Sequence, residues 1–474
     1  MKKMNRFGAL ALTLCLLGAS MLTACTGDPA ESGDPTEGTV TTAATTVTDA
    51  TDQEIDSSAT LEEITTREEE TTVSIEDILT QGLQPEALQE IMQPIFKGQT
   101  TINETVMFLD RGDVKSLLYP IDEVLSVTSY DRSVTYEEGK DFVVVDGKLQ
   151  VTADSAIPCI TRESYYNVPE SLLQTEYNGQ NVLTHWGENA AMSSWQICVT
   201  YTHTARWEGF TQPCELENLK GFVQKLSKGE DVTVLFCGDS ITNGANASWL
   251  ANAAPMQYPY PILFTMALAD LYGYTVHFEY ADVTAPQGGR PSRVPAEDYV
   301  AGTRGTITYV NTSIGGWTSK DGVDNREAFI ENQVKAFGCD LFVVAFGMND
   351  GGLHPKGVAK NVQKMIDCVL ASDPEASFVV MATMVPNPNA TNGWYGKQVE
   401  QEPELMELAE EYRAEGVPCV VCRMTSVSLS VLEHKEFMDY SGNNINHPND
   451  FFVRVYAQTL LQTVIGYENL GAEP

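Results

Sequence analysis

The pattern of apolar and polar positions differs between two parts of the chain. Between residues 100 and 214 the apolar runs are short and strand-like, with strands predicted at 106–109, 142–145, 149–151 and 197–202. Asp146-Gly147, between two of these runs, favours a tight hairpin, because glycine accepts the positive φ of a type I′ turn. The pattern predicts an all-β, sandwich-like region, preceded by a short helix at 85–96.

From about residue 215 the pattern changes: short apolar runs typical of strands alternate with longer amphipathic segments. Strands are predicted at 232–236, 276–280, 307–310, 341–346, 378–381 and 418–421. Helices are predicted at 261–271, 326–337, 356–370, 403–415 and 450–465. Continuous apolar strands separated by helices are typical of a parallel sheet covered on both faces. The sequence therefore predicts an α/β fold with a flavodoxin-like sheet, in which ligands bind beyond the carboxyl ends of the strands.

The first 25 residues are typical of a bacterial export signal. A basic start precedes an apolar run at 7–17 that is too short to span a bilayer, and Leu22-Thr23-Ala24-Cys25 follows. This tetrapeptide resembles a lipobox, which implies cleavage before Cys25 and a lipid on its thiol. We therefore expect a lipoprotein anchored at the extracellular face of the cell membrane; an ordinary secretory signal is the alternative.

The segment after the signal is acidic and rich in threonine. Fifteen acidic residues lie between Asp28 and Asp77, against one base, Arg67. Such a composition buries too little apolar surface to offset its ordering entropy, so we expect a disordered tether. The predicted organisation is a signal at 1–25, a linker at 26–78, a β-rich accessory domain at 79–218 and an α/β domain at 219–474.

Composition narrows the possible partners. A formal net charge of -36 opposes binding to nucleic acid or to an anionic membrane surface, so membrane contact is expected only through the lipid. The ten cysteines are scattered, and those in apolar runs are expected to be buried thiols. The histidines show no metal-ligand spacing. Cys419 and Cys422 have CxxC spacing, but they stand in an apolar, strand-like run and no second CxxC occurs. No nucleotide-binding glycine loop occurs either, so neither a metal nor another cofactor is expected.

Four short motifs carry the candidate chemistry. Gly238-Asp239-Ser240 follows the first strand of the α/β region, and a turn there exposes the serine at the edge of the sheet. Gly315-Gly316-Trp317-Thr318 follows a later strand, Gly347-Met348-Asn349-Asp350 another, and Asn446-His447-Pro448 precedes the last helix. Each motif taken alone is an ordinary turn or helix cap.

Together these motifs resemble the signature of the SGNH/GDSL hydrolase superfamily over residues 231–465. The resemblance implies a serine esterase with the SGNH fold. Ser240 would be the nucleophile and His447 its base, and the backbone of Ser240, Gly316 and the Asn349 amide would bind the oxyanion. Gly315 is the alternative oxyanion glycine, whereas Asp239 and Asp350 are expected to shape their turns.

The motif around the histidine departs from the family pattern. The position three residues before His447, where the family has an acid, is Asn444. An amide oxygen can accept from the imidazole Nδ1–H and set the tautomer, but it lacks the charge that stabilises an imidazolium. Asn444 is therefore the predicted orienting residue, with Asp439 or Asp450 as alternatives.

The substrate is inferred from context. Anchoring, the accessory domain, the acidic surface and the absence of an apolar lid suggest a short-chain, O-acetyl ester on a polysaccharide. Candidate sugar-stacking side chains are Trp317, Trp249, Trp394 and Tyr395. The alternatives are a non-catalytic glycan-binding lipoprotein, an envelope acyltransferase and a lysophospholipase on the same fold.

Overall fold

A computed structural model describes residues 85–168, 175–177, 180–185, 187–389 and 396–467. Within them the strands are β1 (Thr100–Met107), β2 (Val114–Lys115), β3 (Glu123–Ser129), β4 (Phe142–Val145), β5 (Lys148–Val151), β6 (Thr175–Tyr177), β7 (Gln180–Val182), β8 (Gln196–Thr202), β9 (Val232–Gly238), β10 (Thr275–Glu279), β11 (Tyr299–Val300), β12 (Thr306–Asn311), β13 (Leu341–Ala345), β14 (Ser377–Ala382) and β15 (Cys419–Arg423). The α-helices are α1 (Pro85–Ile91), α2 (Arg162–Tyr166), α3 (Lys220–Lys228), α4 (Ser240–Asn243), α5 (Tyr260–Tyr272), α6 (Ser319–Asp324), α7 (Asn332–Phe337), α8 (Pro355–Leu370), α9 (Gln401–Ala414), α10 (Met424–Leu432), α11 (Phe437–Tyr440) and α12 (Asp450–Val464).

A seven-stranded sheet in the order β11-β10-β12-β9-β13-β14-β15 forms the centre of the α/β region. All pairs are parallel except that of β10 with β11 at the edge. Successive residues of β9 enter different cores: Val234 and Phe236 join one hydrophobic cluster, and Leu235 and Cys237 join the other. This two-sided burial explains why the predicted strands are continuously apolar.

Helices cover both faces of this sheet. Helices α5 and α12 contribute to the cluster on one face, and α8 and α9 to the cluster on the other. In α8 the buried positions include Val358, Val362, Ile366 and Val369, a helical spacing that turns one stripe inward. The predicted α/β fold is confirmed. The predicted helix at 326–337 is divided, because residues 327–331 form a π-helix before α7 begins.

An N-terminal region rich in strands precedes this sheet. It contains two three-stranded sheets, β1-β8-β3 and β2-β5-β4, and the pair β6-β7, and its strand pairs are antiparallel. The predicted hairpin is present, since Asp146 (φ 50°) and Gly147 (φ 71°) join β4 to β5. Helix α1 ends at Ile91 rather than at residue 96; Pro94 disfavours helical geometry at the residue before it.

The strand-rich region and the α/β region share one hydrophobic cluster. Side chains of β1 and β8, including Val106 and Tyr201, belong to the same cluster as Phe451 and Val455 of α12. The backbone N–H of Met107 also donates to Asp439 Oδ1 at 2.9 Å. The strand-rich region thus supports the segment that carries the candidate histidine; the predicted domain boundary at residue 218 stays a prediction.

Cysteines and helices add two observations about the described residues. The eight cysteines in this part of the chain are free thiols, and those of β9 and β15 are buried, as predicted. None of the helices in these same ranges combines the length and apolarity that crossing a membrane requires.

Candidate active site

Ser240 is the first residue of α4, directly after β9. The turn requires Gly238, because a Cβ there would lie 2.5 Å from the carbonyl oxygen of Ala345. Asp239 caps the helix, its Oδ1 accepting from the Ile241 N–H at 3.0 Å. An N–H at the first helical position has no intrahelical acceptor. The Gly-Asp-Ser sequence therefore places a hydroxyl and a backbone donor together at the end of a buried strand.

His447 contacts the serine hydroxyl. Its Nε2 lies 2.8 Å from Ser240 Oγ, and its Nδ1 lies 2.7 Å from Asn246 Oδ1. The two residues come from opposite ends of the α/β region, since α4 follows the central strand and His447 lies just before α12. Serine, imidazole and amide form a continuous hydrogen-bonded row.

Asn246 is held so that its oxygen faces the imidazole. Its Nδ2 donates to the carbonyl oxygens of Gly187 (3.3 Å), Asn189 (3.1 Å) and Gly442 (3.3 Å). Because these carbonyls take only donors, Oδ1 must be the atom that meets His447. An amide oxygen accepts, so Nδ1 carries the hydrogen and the Nε2 lone pair faces Ser240. The arrangement selects the tautomer that a general base needs.

Burial keeps the imidazole neutral. His447 is 7% exposed, and this burial lowers its pKa to about 4. No carboxylate hydrogen-bonds to its ring among the described residues, so nothing offsets the desolvation of an imidazolium there. The histidine is therefore an unprotonated acceptor at neutral pH.

The turns after β12 and β13 flank the serine turn. The Ile314 N–H donates to the Gly238 carbonyl at 3.1 Å, and the Asp239 N–H donates to the Ala345 carbonyl at 3.2 Å. These bonds join the three strand ends into one rim at the carboxyl edge of the sheet, where parallel sheets bind ligands.

The two remaining oxyanion candidates lie on these flanking turns. Gly316 has φ 78°, and a Cβ there would meet no atom within 4 Å, so the turn is open at this point. Asn349 Nδ2 donates to the Trp317 carbonyl at 2.8 Å. An amide nitrogen carries two hydrogens, so this bond orients the group and leaves a second donor. The structure thus brings the loops of Ser240, Gly316 and Asn349 to one edge.

Two buried aspartates shape these turns, as predicted. Both Asp350 oxygens accept from the Ser319 N–H, at 3.2 and 2.9 Å, and Oδ1 also accepts from its hydroxyl at 2.8 Å, which joins the Asn349 turn to α6. The pKa of Asp239 is raised to about 7, chiefly by burial and in part by the neighbouring Asp350 carboxylate. Neither carboxylate contacts His447, so neither replaces the missing acid of the motif.

The sequence around this site is similar to a known protein family. Residues 236–451 match the model of the GDSL-like Lipase/Acylhydrolase family. These residues are similar to that family over part of the chain, and we call them the GDSL-like domain. Its seven-stranded sheet and flanking helices fit the SGNH fold, as the motifs implied. No curated protein matches the chain.

Several solved structures are similar to the chain. One is a two-domain esterase (CEX) active on acetylated mannans, with 18% identity, a TM-score of 0.37 and coverage of 56% of this chain. This chain spans 55% of the length of that esterase. Another is a catalytic mutant of an acetylxylan esterase from Geobacillus stearothermophilus, with 16% identity, a TM-score of 0.33, and 51% of this chain and 95% of that one covered.

The predicted role of Asn444 is wrong, because its side chain points away from the imidazole. Asn444 Nδ2 donates to the Tyr165 hydroxyl and to the Leu183 carbonyl, both at 2.7 Å, and its Oδ1 accepts from Asn387 Nδ2 at 3.2 Å. With φ 57°, its backbone adopts the left-handed conformation. Asn444 thus holds the histidine loop of the GDSL-like domain against the strand-rich region.

The two described tryptophans are also placed differently from the prediction. Trp317 is 2% exposed and packs on Phe329, and Trp249 is 3% exposed and lies beneath the Arg293 guanidinium. Buried indoles have no free face for a sugar, so their predicted stacking role is wrong. Trp394, Tyr395 and the predicted lipidation site Cys25 lie outside the described residues.

Asn246 was not among the predicted site residues, although it contacts His447. It lies six positions after the serine in an unremarkable Gly-Ala-Asn-Ala loop and has φ 63°, a conformation that asparagine tolerates better than most residues. An asparagine next to a glycine turn is a weak hint of such a backbone, but nothing in the spacing connects it to His447.

The described residues hold no group of three or more His, Cys, Asp or Glu side chains placed to bind a metal ion.

Proposed function

We propose that the protein is a serine esterase that removes short acyl groups, above all O-acetyl groups, from a polysaccharide through an acyl-enzyme. The observation that carries the proposal is the row from Ser240 Oγ through the His447 ring to Asn246 Oδ1, with contacts of 2.8 and 2.7 Å. A neutral, tautomer-selected imidazole beside a serine at a helix start is the arrangement that acyl transfer needs.

The chemistry follows from these contacts. Ser240 Oγ attacks the ester carbonyl while His447 Nε2 takes its proton, and the same proton then goes to the leaving alcohol. Water, deprotonated by the same nitrogen, attacks the acyl-enzyme carbonyl; the bond to Ser240 Oγ breaks, Oγ takes the proton back from His447, and the acid is released. The backbone N–H groups of Ser240 and Gly316 and the amide of Asn349 stabilise the oxyanion in both halves.

Enclosure of the serine favours a small acyl group. Ser240 is 4% exposed and His447 7% exposed, so little of either residue is open to solvent. The predicted export, the acidic composition and the added strand-rich region support a polysaccharide as the alcohol part of the ester.

A p-nitrophenyl ester series of increasing acyl length tests this function. We expect p-nitrophenyl acetate to be cleaved fastest, and we expect Ser240→Ala to lose activity on every ester of the series. Wild-type turnover by Ser240→Ala would overturn the mechanism. A preference for long chains would instead indicate a lysophospholipase, and transfer to an added sugar with little free acetate would indicate an acyltransferase.

We further propose that a lipid on Cys25 anchors the enzyme at the extracellular face of the cell membrane. The support is the Leu22-Thr23-Ala24-Cys25 motif after a basic and apolar start. In the native host, Cys25→Ala should either move the protein from the membrane fraction to the medium or leave it with its signal uncleaved and therefore larger on a gel; a variant of mature size that stays in the membrane fraction would contradict the proposal.

A further inference from the structure

One segment of the strand-rich region lies directly against the catalytic histidine loop. The His185 N–H donates to the Asn443 carbonyl at 3.0 Å, and the Leu183 carbonyl accepts from Asn444 Nδ2 at 2.7 Å. The segment therefore has a defined position relative to His447.

The same segment holds the residue that orients the histidine. The carbonyl oxygens of Gly187 and Asn189 both accept from Asn246 Nδ2. Glu188 lies between them, so its backbone is fixed on both sides by the amide that contacts His447. The backbone of Glu188 therefore has a defined position beside Asn246.

The Glu188 carboxylate faces the candidate oxyanion turn. Its Oε1 lies 3.7 Å from the position that a Cβ of Gly315 would occupy, and apart from the adjoining residues it is the sole described atom within 4 Å of that position. The corresponding Cβ position of Gly316 has no described atom within 4 Å other than those of the adjoining residues. Glu188 is solvent-exposed, yet its surroundings desolvate it enough to raise its pKa. No described group donates a hydrogen bond to the carboxylate.

We propose that Glu188 is a specificity-determining residue that accepts a hydrogen bond from a free hydroxyl on the alcohol part of the ester. The inference rests on the proposed function and narrows its substrate class. The carboxylate borders the space beside Gly316 that an ester carbonyl would enter, and a hydroxyl on the carbon adjacent to the one that bears the ester oxygen lies only a few bonds away. Hydrogen bonds from hydroxyls to carboxylates are short and strong. The favoured substrates are neutral, partly acylated polyols or sugars; alcohols that carry an anion are repelled.

Two esters that differ by one hydroxyl test the proposal on the full chain. Trans-2-acetoxycyclohexanol carries a hydroxyl beside the ester, and cyclohexyl acetate does not. Because a hydrogen bond to a charged group contributes about 1.5–3 kcal/mol, we expect wild-type kcat/KM to favour the hydroxy ester by roughly 10- to 100-fold. Glu188→Ala should bring this ratio close to one, and Glu188→Gln should give an intermediate ratio, because its amide oxygen still accepts.

Glu163→Gln provides the matched control. Glu163 is an exposed residue of α2 in the same region, and its substitution makes the same charge change. Its ratio should equal that of the wild type. An unchanged ratio in Glu188→Ala, or an equal loss on both esters, would overturn the role of Glu188. A wild-type ratio near one with good turnover of both esters overturns this inference alone, whereas a wild type that cleaves neither these esters nor p-nitrophenyl acetate also overturns the proposed function.

Discussion

At the scale of single residues, the distinctive feature is a neutral acceptor behind the imidazole of His447. Asn246 selects the tautomer of His447 through Oδ1 but would offer no charge to an imidazolium formed in the proposed reaction. The resulting base is weak but stays unprotonated in acid, because burial holds the pKa of His447 near 4. Activity should therefore persist well below the pH at which an ordinary histidine becomes protonated.

The pH profile of Asn246→Asp tests this role. In the wild type kcat/KM should fall only as the pH drops through about 4, where His447 is protonated. A carboxylate beside Nδ1 favours the imidazolium, so the acidic limb of Asn246→Asp should move up by roughly 1–3 pH units. The measurement is kcat/KM for p-nitrophenyl acetate against pH, with circular dichroism confirming that the protein is folded at each pH.

Asn444→Asp is the control for that experiment. The Asn444 amide donates to two oxygens, and aspartate at this position would lose both bonds. The substitution should therefore lower the free energy of unfolding by about 1–3 kcal/mol, a loss similar to that expected for Asn246→Asp. Asn444 does not contact the imidazole, so its acidic limb should stay in place. Equal movement of the limb in both variants would show that general destabilisation, rather than the contact with Nδ1, sets the pKa.

At the scale of elements, the site depends on how closely the strand ends approach each other. β9 can turn into α4 only because Gly238 has no side chain to meet the Ala345 carbonyl at the end of β13. The nucleophile and both flanking turns are therefore one unit, and a change in the packing of β9 against β13 would move all three.

Two glycine-to-alanine substitutions test this coupling. In Gly238→Ala the new Cβ would lie 2.5 Å from the Ala345 carbonyl oxygen, so the strand ends must separate. We expect a lower urea midpoint and at least about a tenfold loss of kcat, because misplacing reacting groups by even 1 Å is costly. Gly221→Ala, in α3 with open space around its Cβ, should keep full activity and equal or greater stability. Full activity in a folded Gly238→Ala would contradict the requirement for glycine.

At the scale of the whole molecule, a buried ion pair joins the strand-rich region to the GDSL-like domain. Lys435 Nζ lies 2.6 Å from Glu104 Oε1, and both side chains are fully buried. Glu104 also accepts from the Leu118 N–H and the Tyr201 hydroxyl, so both of its oxygens have a donor. Together with the shared hydrophobic cluster, this pair predicts that the two regions unfold together.

Removing one partner of the pair tests this cooperativity. Lys435→Met leaves the Glu104 carboxylate buried and unpaired, which should cost about 3–5 kcal/mol of unfolding free energy. The loss should appear in a single urea transition, followed by tryptophan fluorescence and far-UV circular dichroism. Lys335→Met, which breaks an exposed pair with Glu331, should change the midpoint little. Two separate transitions, of which only one responds to Lys435→Met, would show that the regions unfold independently.

Much of the fold followed from the sequence because its signals are local. The six predicted strands of the sheet and the predicted helices α5, α8, α9 and α12 appear within a few residues of their expected bounds. Apolar runs and helical periodicity depend on neighbouring residues, so the sequence records them. The short α6 and the two-residue edge strand β11 were missed, because they bury too few side chains to leave a period.

The sequence by itself determined which strand ends carry the chemistry: Ser240, Asn349 and His447 stand in motifs whose spacing reflects the order of the strands. Tertiary structure alone decided which asparagine meets the imidazole, which tryptophans are buried, and that Glu188 reaches the site from another region. Those choices depend on contacts between segments as far apart as Gly187 and Asn246, or Asn246 and His447. Residues in such contacts have no fixed separation along the chain, and so no pattern in the sequence records them.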